Sequence, residues 1–147
     1  MLAVLLTMTL TPKLQQSVQA FKMVKDTKLK YQQLLFLAKK LTPLEPHLCS
    51  EQNKVPGCLS TVYIHATADE HKKIFYKGDS DSELTKGLAA LLITGLSGYT
   101  NEEIQKVEPG FIQDAGLAQS LTPGRNNGFL NMLTMMKQRA ATLDSET

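Results

Sequence analysis

The leucines Leu84, Leu88, Leu91, Leu92 and Leu96 constrain this chain more than any other feature. They recur at helical spacing, so a helix there presents one continuous apolar face. Gly78-Asp79-Ser80-Asp81-Ser82 offers capping groups ahead of it, and Gly98 supplies a stop. A helix this apolar has to be covered by the rest of the chain, which makes it the expected centre of the core. Two further helical patterns precede it. Thr11-Pro12 pairs a capping side chain with proline at the first helical position, and Leu14, Val18 and Phe21 then share a face, predicting a helix over about 12–24. Asp26 or Thr27 can cap a second helix striped by Leu34, Leu37, Ala38 and Leu41, with Lys28, Lys30, Lys39 and Lys40 expected outside the stripe.

Between these helices and the central one the pattern changes. Residues 42–57 carry Pro43, Pro46 and Pro56 with almost no periodicity, which predicts a long loop, and long loops in small domains are often functional. From Thr61 to Thr67, Val62, Ile64 and Ala66 alternate with Tyr63, His65 and Thr67, a strand pattern. Ile74–Lys77 reads as its hairpin partner across a polar turn over 68–72. Beyond Gly98, Thr100 and Glu103 form a capping box for a helix to about Val107, and Pro109 starts a short turn. A last helix is expected from about Arg125 to Leu143, with Phe129, Leu133, Met136 and Ala140 on one face. The order of helices, hairpin and helices predicts a single α+β domain over residues 1–147, its core spanning about 12–142, with a small antiparallel sheet covered by helices. The length of 147 residues suits one domain.

Composition narrows the function classes. Hydrophobic residues at 42% and charged residues at 20% belong to an ordinary globular chain. The net charge is only +2, yet its sign is uneven along the sequence: eight lysines face Asp26, Glu45 and Glu51 through Ser60, whereas nine acids face five lysines from Thr61 to Asp114. That asymmetry fits a charged protein partner, or plain solvated faces, better than a polyanion. No basic stripe is interleaved with aromatics and there is no Trp, so nucleic-acid binding is not expected. Two cysteines make no disulfide framework, and a reducing compartment such as the cytoplasm fits. Met1–Leu6 is apolar but too short for a membrane span. It lacks the basic region and cleavage site of a signal peptide and the Arg- and Ser-rich character of a transit peptide, so no membrane association is expected.

Cys58 is the candidate for chemistry. It lies at the end of the long loop, just before a strand, and follows Gly57, whose backbone can take conformations other residues avoid. A thiol so placed can be presented to a partner, and its reactive form is the thiolate. Lys54 could favour that anion if the loop folds back. By position alone, a cysteine at a loop–strand junction is more often a small buried hydrophobe. Two other readings stay open at this level. Cys58 with His65 or His71 could imitate a nucleophile–base pair in a thiol enzyme acting alone. His47, Cys49, Cys58 and His65 could form a metal scaffold, although they lack the tight spacing usual for zinc, and no metal is expected.

The run Asn53-Lys54-Val55-Pro56-Gly57-Cys58-Leu59-Ser60-Thr61-Val62-Tyr63 resembles the cysteine-loop signature of the SufE family. Gly78-Asp79-Ser80-Asp81-Ser82 with Lys86-Gly87-Leu88 is similar to that family's acidic loop and central helix. Leu121-Thr122-Pro123-Gly124-Arg125 is similar to its second signature. Asn126-Asn127-Gly128 and Tyr31-Gln32-Gln33-Leu34-Leu35 resemble the cyanobacterial and plastid branch. Together these matches run from about Pro12 to Ala141. The resemblance implies an IscU-like α+β fold and a sulfur acceptor that activates a SufS-type cysteine desulfurase. It further implies persulfide sulfur carried on Cys58 toward a SufB-containing scaffold for iron–sulfur cluster assembly, in the plastid stroma if the source bears plastids. It implies no cofactor and a sulfur-transfer partner rather than a stand-alone enzyme. Gly57, Asp79, Asp81, Lys86 and Arg125 are implied to support the site or the docking surface, with Asp79 and Asp81 bordering the cysteine's pocket and Arg125 bracing it. The sequence departs from the family pattern at Thr61, where Gln is usual, at Tyr63, where many members carry Trp, and at Gly124, where Ser is usual.

Overall fold

The computed structural model describes residues 10–146; the apolar opening Met1–Leu6 lies outside them. Helix α1 (Pro12–Lys22) starts as predicted, with the Thr11 side chain accepting the Leu14 N–H, and stops short of Val24. Helix α2 (Thr27–Lys40) takes Asp26 as its cap, through the Lys28 N–H. The loop that follows is not featureless: Pro46–Leu48 and Glu51–Asn53 form single 3-10 turns.

Strands β1 (Val62–Ala68) and β2 (Lys73–Ser80) form an antiparallel hairpin whose register runs from Val62 opposite Ser80 to Ala68 opposite Ile74. Val62, Ile64, Ile74 and Tyr76 are buried on one face, the alternation seen in the sequence. A third strand, β3 (Tyr99–Thr100), joins β2 through Lys73 opposite Thr100 and Ile74 opposite Tyr99. Two residues are too few to show a period, so no sequence pattern announced it.

Helix α3 (Glu83–Leu96) is the predicted central helix, capped by Ser82 through the Thr85 N–H. Leu88, Leu91, Leu92 and Leu96 are fully buried, and Leu84 partly so. Ala89, Ala90 and Ile93 are buried as well, so α3 is covered nearly all round rather than on one stripe. Its cover comes from α1, α2, β2 and the last helix. Gly87 permits the closest approach, because a Cβ there would stand 2.3 Å from the Leu34 carbonyl oxygen.

Helix α4 (Asn101–Gln105) has the predicted Thr100–Glu103 capping box but ends before Val107. A short α5 (Phe111–Asp114) follows Pro109. Helix α6 (Pro123–Ser145) begins earlier than predicted, because Thr122 caps it through the Arg125 N–H and Pro123 takes the first position. Phe129, Leu133, Met136 and Ala140 are buried together, and the Phe129 ring meets Phe111 edge to face at 5.4 Å between centroids. Tyr76 ties the sheet to α6 by donating its hydroxyl to the Met136 carbonyl at 2.7 Å, and burial pushes its phenol pKa up.

Lys30 corrects the sequence reading. Rather than standing outside the α2 stripe, it is buried, with its ammonium donating to the carbonyls of Phe21 at 2.6 Å and Ala115 at 3.1 Å. Those carbonyls sit at the C-terminal ends of α1 and α5, where helices leave acceptors without intrahelical partners. A lysine on a helix face reads as solvated unless the ends of two other helices converge on it.

Candidate functional site

The cysteine loop is the tip of an irregular hairpin. Val55 N–H donates to the Val62 carbonyl at 2.8 Å, and Lys54 bridges to Tyr63, so the chain leaves and re-enters the sheet at one point. On the opposite side Asp81 holds Thr61 twice: its N–H donates to the Thr61 carbonyl at 3.2 Å, and its carboxylate accepts the Thr61 N–H at 3.0 Å. Both bonds use the Thr61 main chain, so the shorter side chain at this position leaves the loop's anchorage intact.

Gly57 turns the tip, with φ at +75° in the left-handed region. A Cβ there would come within 2.7 Å of Asn131 Nδ2, and that same amide donates to the Gly57 carbonyl at 3.2 Å. The loop is thereby fastened to α6. Asn131 belongs to the site although no motif singled it out; the contact joins residues far apart in sequence, and a polar residue on a helix carries no local signal for it.

Cys58 is half-buried. Its thiol faces the Gly128 carbonyl at 3.8 Å, a weak S–H contact. It lines a recess of 140 Å3 together with Ser60, Thr85, Thr122, Arg125 and Gly128, and it also borders a wide open groove that includes Lys54. Burial pushes the Cys58 thiol pKa up. Lys54 is exposed and takes no part in that balance.

The neighbours divide into two groups. Arg125, in the first turn of α6, joins Cys58 at the recess; its Nε is buried without a hydrogen-bond partner among the described residues. Gly124, beside it, is not the helix cap, which is Thr122; its bare Cα leaves room for the otherwise exposed Leu59, whose Cδ1 lies 2.6 Å from where a Cβ would stand. Asp79 and Asp81, in contrast, line a separate recess with Cys49, Thr61 and Tyr63. Asp79 pairs there with Lys86 at 3.4 Å, both side chains partly shielded. The acidic loop thus stands behind the cysteine loop and supports its strand end rather than facing the thiol.

Among the described residues no histidine hydrogen-bonds Cys58. His65 faces the Asn53 amide oxygen at 3.5 Å, and His71 sits in the hairpin turn beside Glu70. His47 and His65 share a different groove with Glu45 and Lys77. Among the described residues no three His, Cys, Asp or Glu side chains gather as a metal site, and no helix is long and apolar enough to cross a membrane.

Fold and site together define a small α+β domain that presents one half-buried thiol on a tethered loop. Residues 15–140 match the SufE family model, described as an Fe-S metabolism associated domain. The chain is 50% identical over 135 residues to SufE-like protein 1, chloroplastic/mitochondrial, of Arabidopsis thaliana, covering 92% of this chain and 36% of that protein. It is 44% identical to the cysteine desulfuration protein SufE of Plasmodium vivax, covering 87% of this chain and 52% of the relative. It therefore spans about a third to a half of the length of these two relatives. A hypothetical protein of Thermus thermophilus, solved in solution, superposes with a TM-score of 0.79 at 29% identity, covering 92% of this chain and 98% of that one. The chain belongs to the SufE family and has its α+β fold.

Proposed function

We propose that this chain accepts a sulfane sulfur from a SufS-type cysteine desulfurase, carries it as a persulfide on Cys58, and delivers it toward a SufB-containing scaffold for iron–sulfur cluster assembly. The placement of Cys58 carries this reading: a thiol at the tip of a tethered loop, half sheltered over a recess, with no histidine bonded to it among the described residues. A stand-alone thiol enzyme needs a neighbouring base, whereas an acceptor needs only a thiol that a partner can reach. The name of the Plasmodium relative, a cysteine desulfuration protein, fits the same role. The name of the plant relative is consistent with a plastid stroma setting if the source bears plastids, and with the cytoplasm otherwise.

In the transfer, the Cys58 thiolate attacks the outer sulfur of the desulfurase persulfide. A bond forms between Cys58 Sγ and that sulfur, the partner's S–S bond breaks, and the partner cysteine leaves as thiolate. No external oxidant or reductant enters. In the free chain, burial holds Cys58 protonated and quiet. Docking that draws the loop out of its recess restores water around the sulfur and frees the nucleophile. Asp79, Asp81 and Lys86 brace the strand end of the loop against that movement, and Gly57 provides its hinge.

The test is to incubate the protein with a SufS-type desulfurase and cysteine, then read a one-sulfur mass gain on intact protein and on peptides. The gain is expected on Cys58 and absent in Cys58→Ser, with desulfurase turnover raised only by the parent protein. Sulfur found mainly at Cys49, or transfer that survives Cys58→Ser, refutes the assignment.

A further inference from the structure

The cysteine loop lies between two recesses, and each is lined by a thiol. Cys58 lines the one shared with Ser60 and Thr85, whereas Cys49 lines the 250 Å3 recess shared with Thr61, Tyr63 and Asp81. Ser60 and Thr61 are neighbours in sequence, so the two spaces adjoin across one stretch of backbone. Cys49 and Cys58 are the two cysteines of the whole sequence. Cys49 is exposed, and its S–H makes a weak contact with the Glu45 carbonyl at 3.8 Å. Sulfur acceptance on Cys58 gives it no role.

The loop's attachments decide whether the two thiols can meet. Its base is held by Val55 to Val62 and by Asp81 to Thr61, and the second anchor lines the Cys49 recess. Its tip is fastened to α6 by the Asn131–Gly57 bond and the weak Cys58–Gly128 contact. Once those two contacts break, the three residues from Thr61 back to Cys58 span up to about 10–11 Å. That arc starts at the rim of the Cys49 recess, whose volume far exceeds the roughly 10–15 Å3 that a water-sized occupant requires. Eight residues stand between the two cysteines, a loop short enough to close at little entropic cost.

We propose that Cys49 is a resolving thiol, which discharges a Cys58 persulfide when the loop opens with no acceptor bound. The inference rests on Cys58 being the sulfur-carrying residue. The Cys49 thiolate attacks Cys58 Sγ and a disulfide bond forms between the two cysteines. The bond from Cys58 Sγ to the outer sulfur breaks, and hydrosulfide leaves with the electron pair and the persulfide's proton. The two cysteine sulfurs are oxidised and the carried sulfur is reduced, so no other oxidant or reductant enters. Attack on the outer sulfur would instead expel the Cys58 thiolate, a poorer leaving group than hydrosulfide because an alkyl thiol is the weaker acid. A persulfide that finds no acceptor is thus returned as hydrosulfide, and the chain stays closed to further sulfur until a thiol reductant opens the disulfide.

A first experiment needs no desulfurase. An equimolar aromatic disulfide forms a mixed disulfide with one cysteine and frees an aryl thiolate; the other cysteine then closes the internal disulfide and frees a second. In the parent the second release is expected at a rate independent of protein concentration, with loss of two hydrogens in intact mass and a linked Cys49–Cys58 peptide. Cys49→Ser and Cys49→Ala should stop at the mixed disulfide on Cys58, and Gly57→Ala, which frees the tip, should close several-fold faster than the parent. A parent adduct that persists, or that resolves only into linked dimers, overturns the inference. In a second experiment the chain is loaded by a SufS-type desulfurase and separated from enzyme and cysteine. With an effective concentration of about 1 mM for the tethered thiol, against roughly 10 μM protein, the parent should lose its extra sulfur about a hundredfold faster than Cys49→Ser, releasing hydrosulfide in step. Equal persulfide lifetimes, or sulfur recovered on Cys49, also overturn the inference. A desulfurase that loads neither protein counts against the proposed function, while the first experiment still decides whether Cys49 reaches Cys58.

Discussion

Gly57→Ala puts the loop geometry under direct strain. The position has φ at +75°, where a residue with a Cβ costs about 1–2 kcal/mol. The new methyl would also stand 2.7 Å from Asn131 Nδ2, so the amide must swing away and give up its bond to the Gly57 carbonyl, a further loss of about 0.5–1.5 kcal/mol. The total is about 2–3 kcal/mol if the loop keeps its place. The loop has another option, since its tip is held to α6 by that amide bond and the weak Cys58–Gly128 contact, and to the sheet only at its base. Release of the tip relieves both costs and carries Cys58 out of its recess. The global unfolding free energy should therefore fall by less than the local sum, while Cys58 becomes reactive. In a Cys49→Ser background, iodoacetamide should modify Cys58 several-fold faster at neutral pH in Gly57→Ala than in the parent. Urea unfolding should register a loss of no more than about 2 kcal/mol, and Asn131→Ala combined with Gly57→Ala should be less than additive because the two share one contact. Unchanged stability together with an unchanged alkylation rate would refute the claim that the positive φ and Asn131 hold the loop.

Further expectations concern residues elsewhere in the fold and the thiol itself. Lys30→Met removes two charge-assisted bonds to helix-end carbonyls and should lower stability by about 3 kcal/mol in urea unfolding; a loss under about 1 kcal/mol would show that the ammonium contributes little. Tyr76→Phe deletes the hydroxyl bond to Met136 and should cost about 1 kcal/mol in the same assay, with the sheet face otherwise intact. Glu103 has a pKa below its ordinary 4.5, chiefly because the Thr100 N–H bonds its carboxylate. A depressed folded pKa gives stability that is present above 4.5 and lost as pH falls through the folded value, so Glu103→Gln should flatten the acid limb of the stability–pH curve. A parent and variant that lose stability in parallel below pH 4.5 would contradict this. The Cys58 thiol, raised by burial, should alkylate with a midpoint above that of a free cysteine in the unloaded chain, and urea should bring it back to the ordinary value.

The helical part of the fold was readable because its signals are local. The Thr11-Pro12 start, the Ser82 cap and the Thr100–Glu103 box each lie within one turn of the helix they begin, and all three are found as the sequence implies. The hairpin was readable for the same reason, through the alternation of Val62 and Ile64. Helix ends were less certain: α6 starts at Pro123 because Thr122 won the capping role over the residues just after it. Cys58 was legible as a candidate only through the company of the acidic loop and the Arg125 motif, and even then the reading merged two recesses into one.

The set of elements, the apolar faces that must meet, and the thiol that a partner could reach were all written in the order of the residues. Spacing and capping chemistry suffice for those, since each depends on residues a few positions apart. Tertiary packing was needed to decide that Asp79 and Asp81 stand with Cys49 while Arg125 and Thr85 stand with Cys58. Packing also decided that Asn131 fastens Gly57, and that Lys30 is buried between two helix ends. Each of these is a contact between distant segments, fixed by how the cysteine loop and the helices around it come together rather than by any period in the chain.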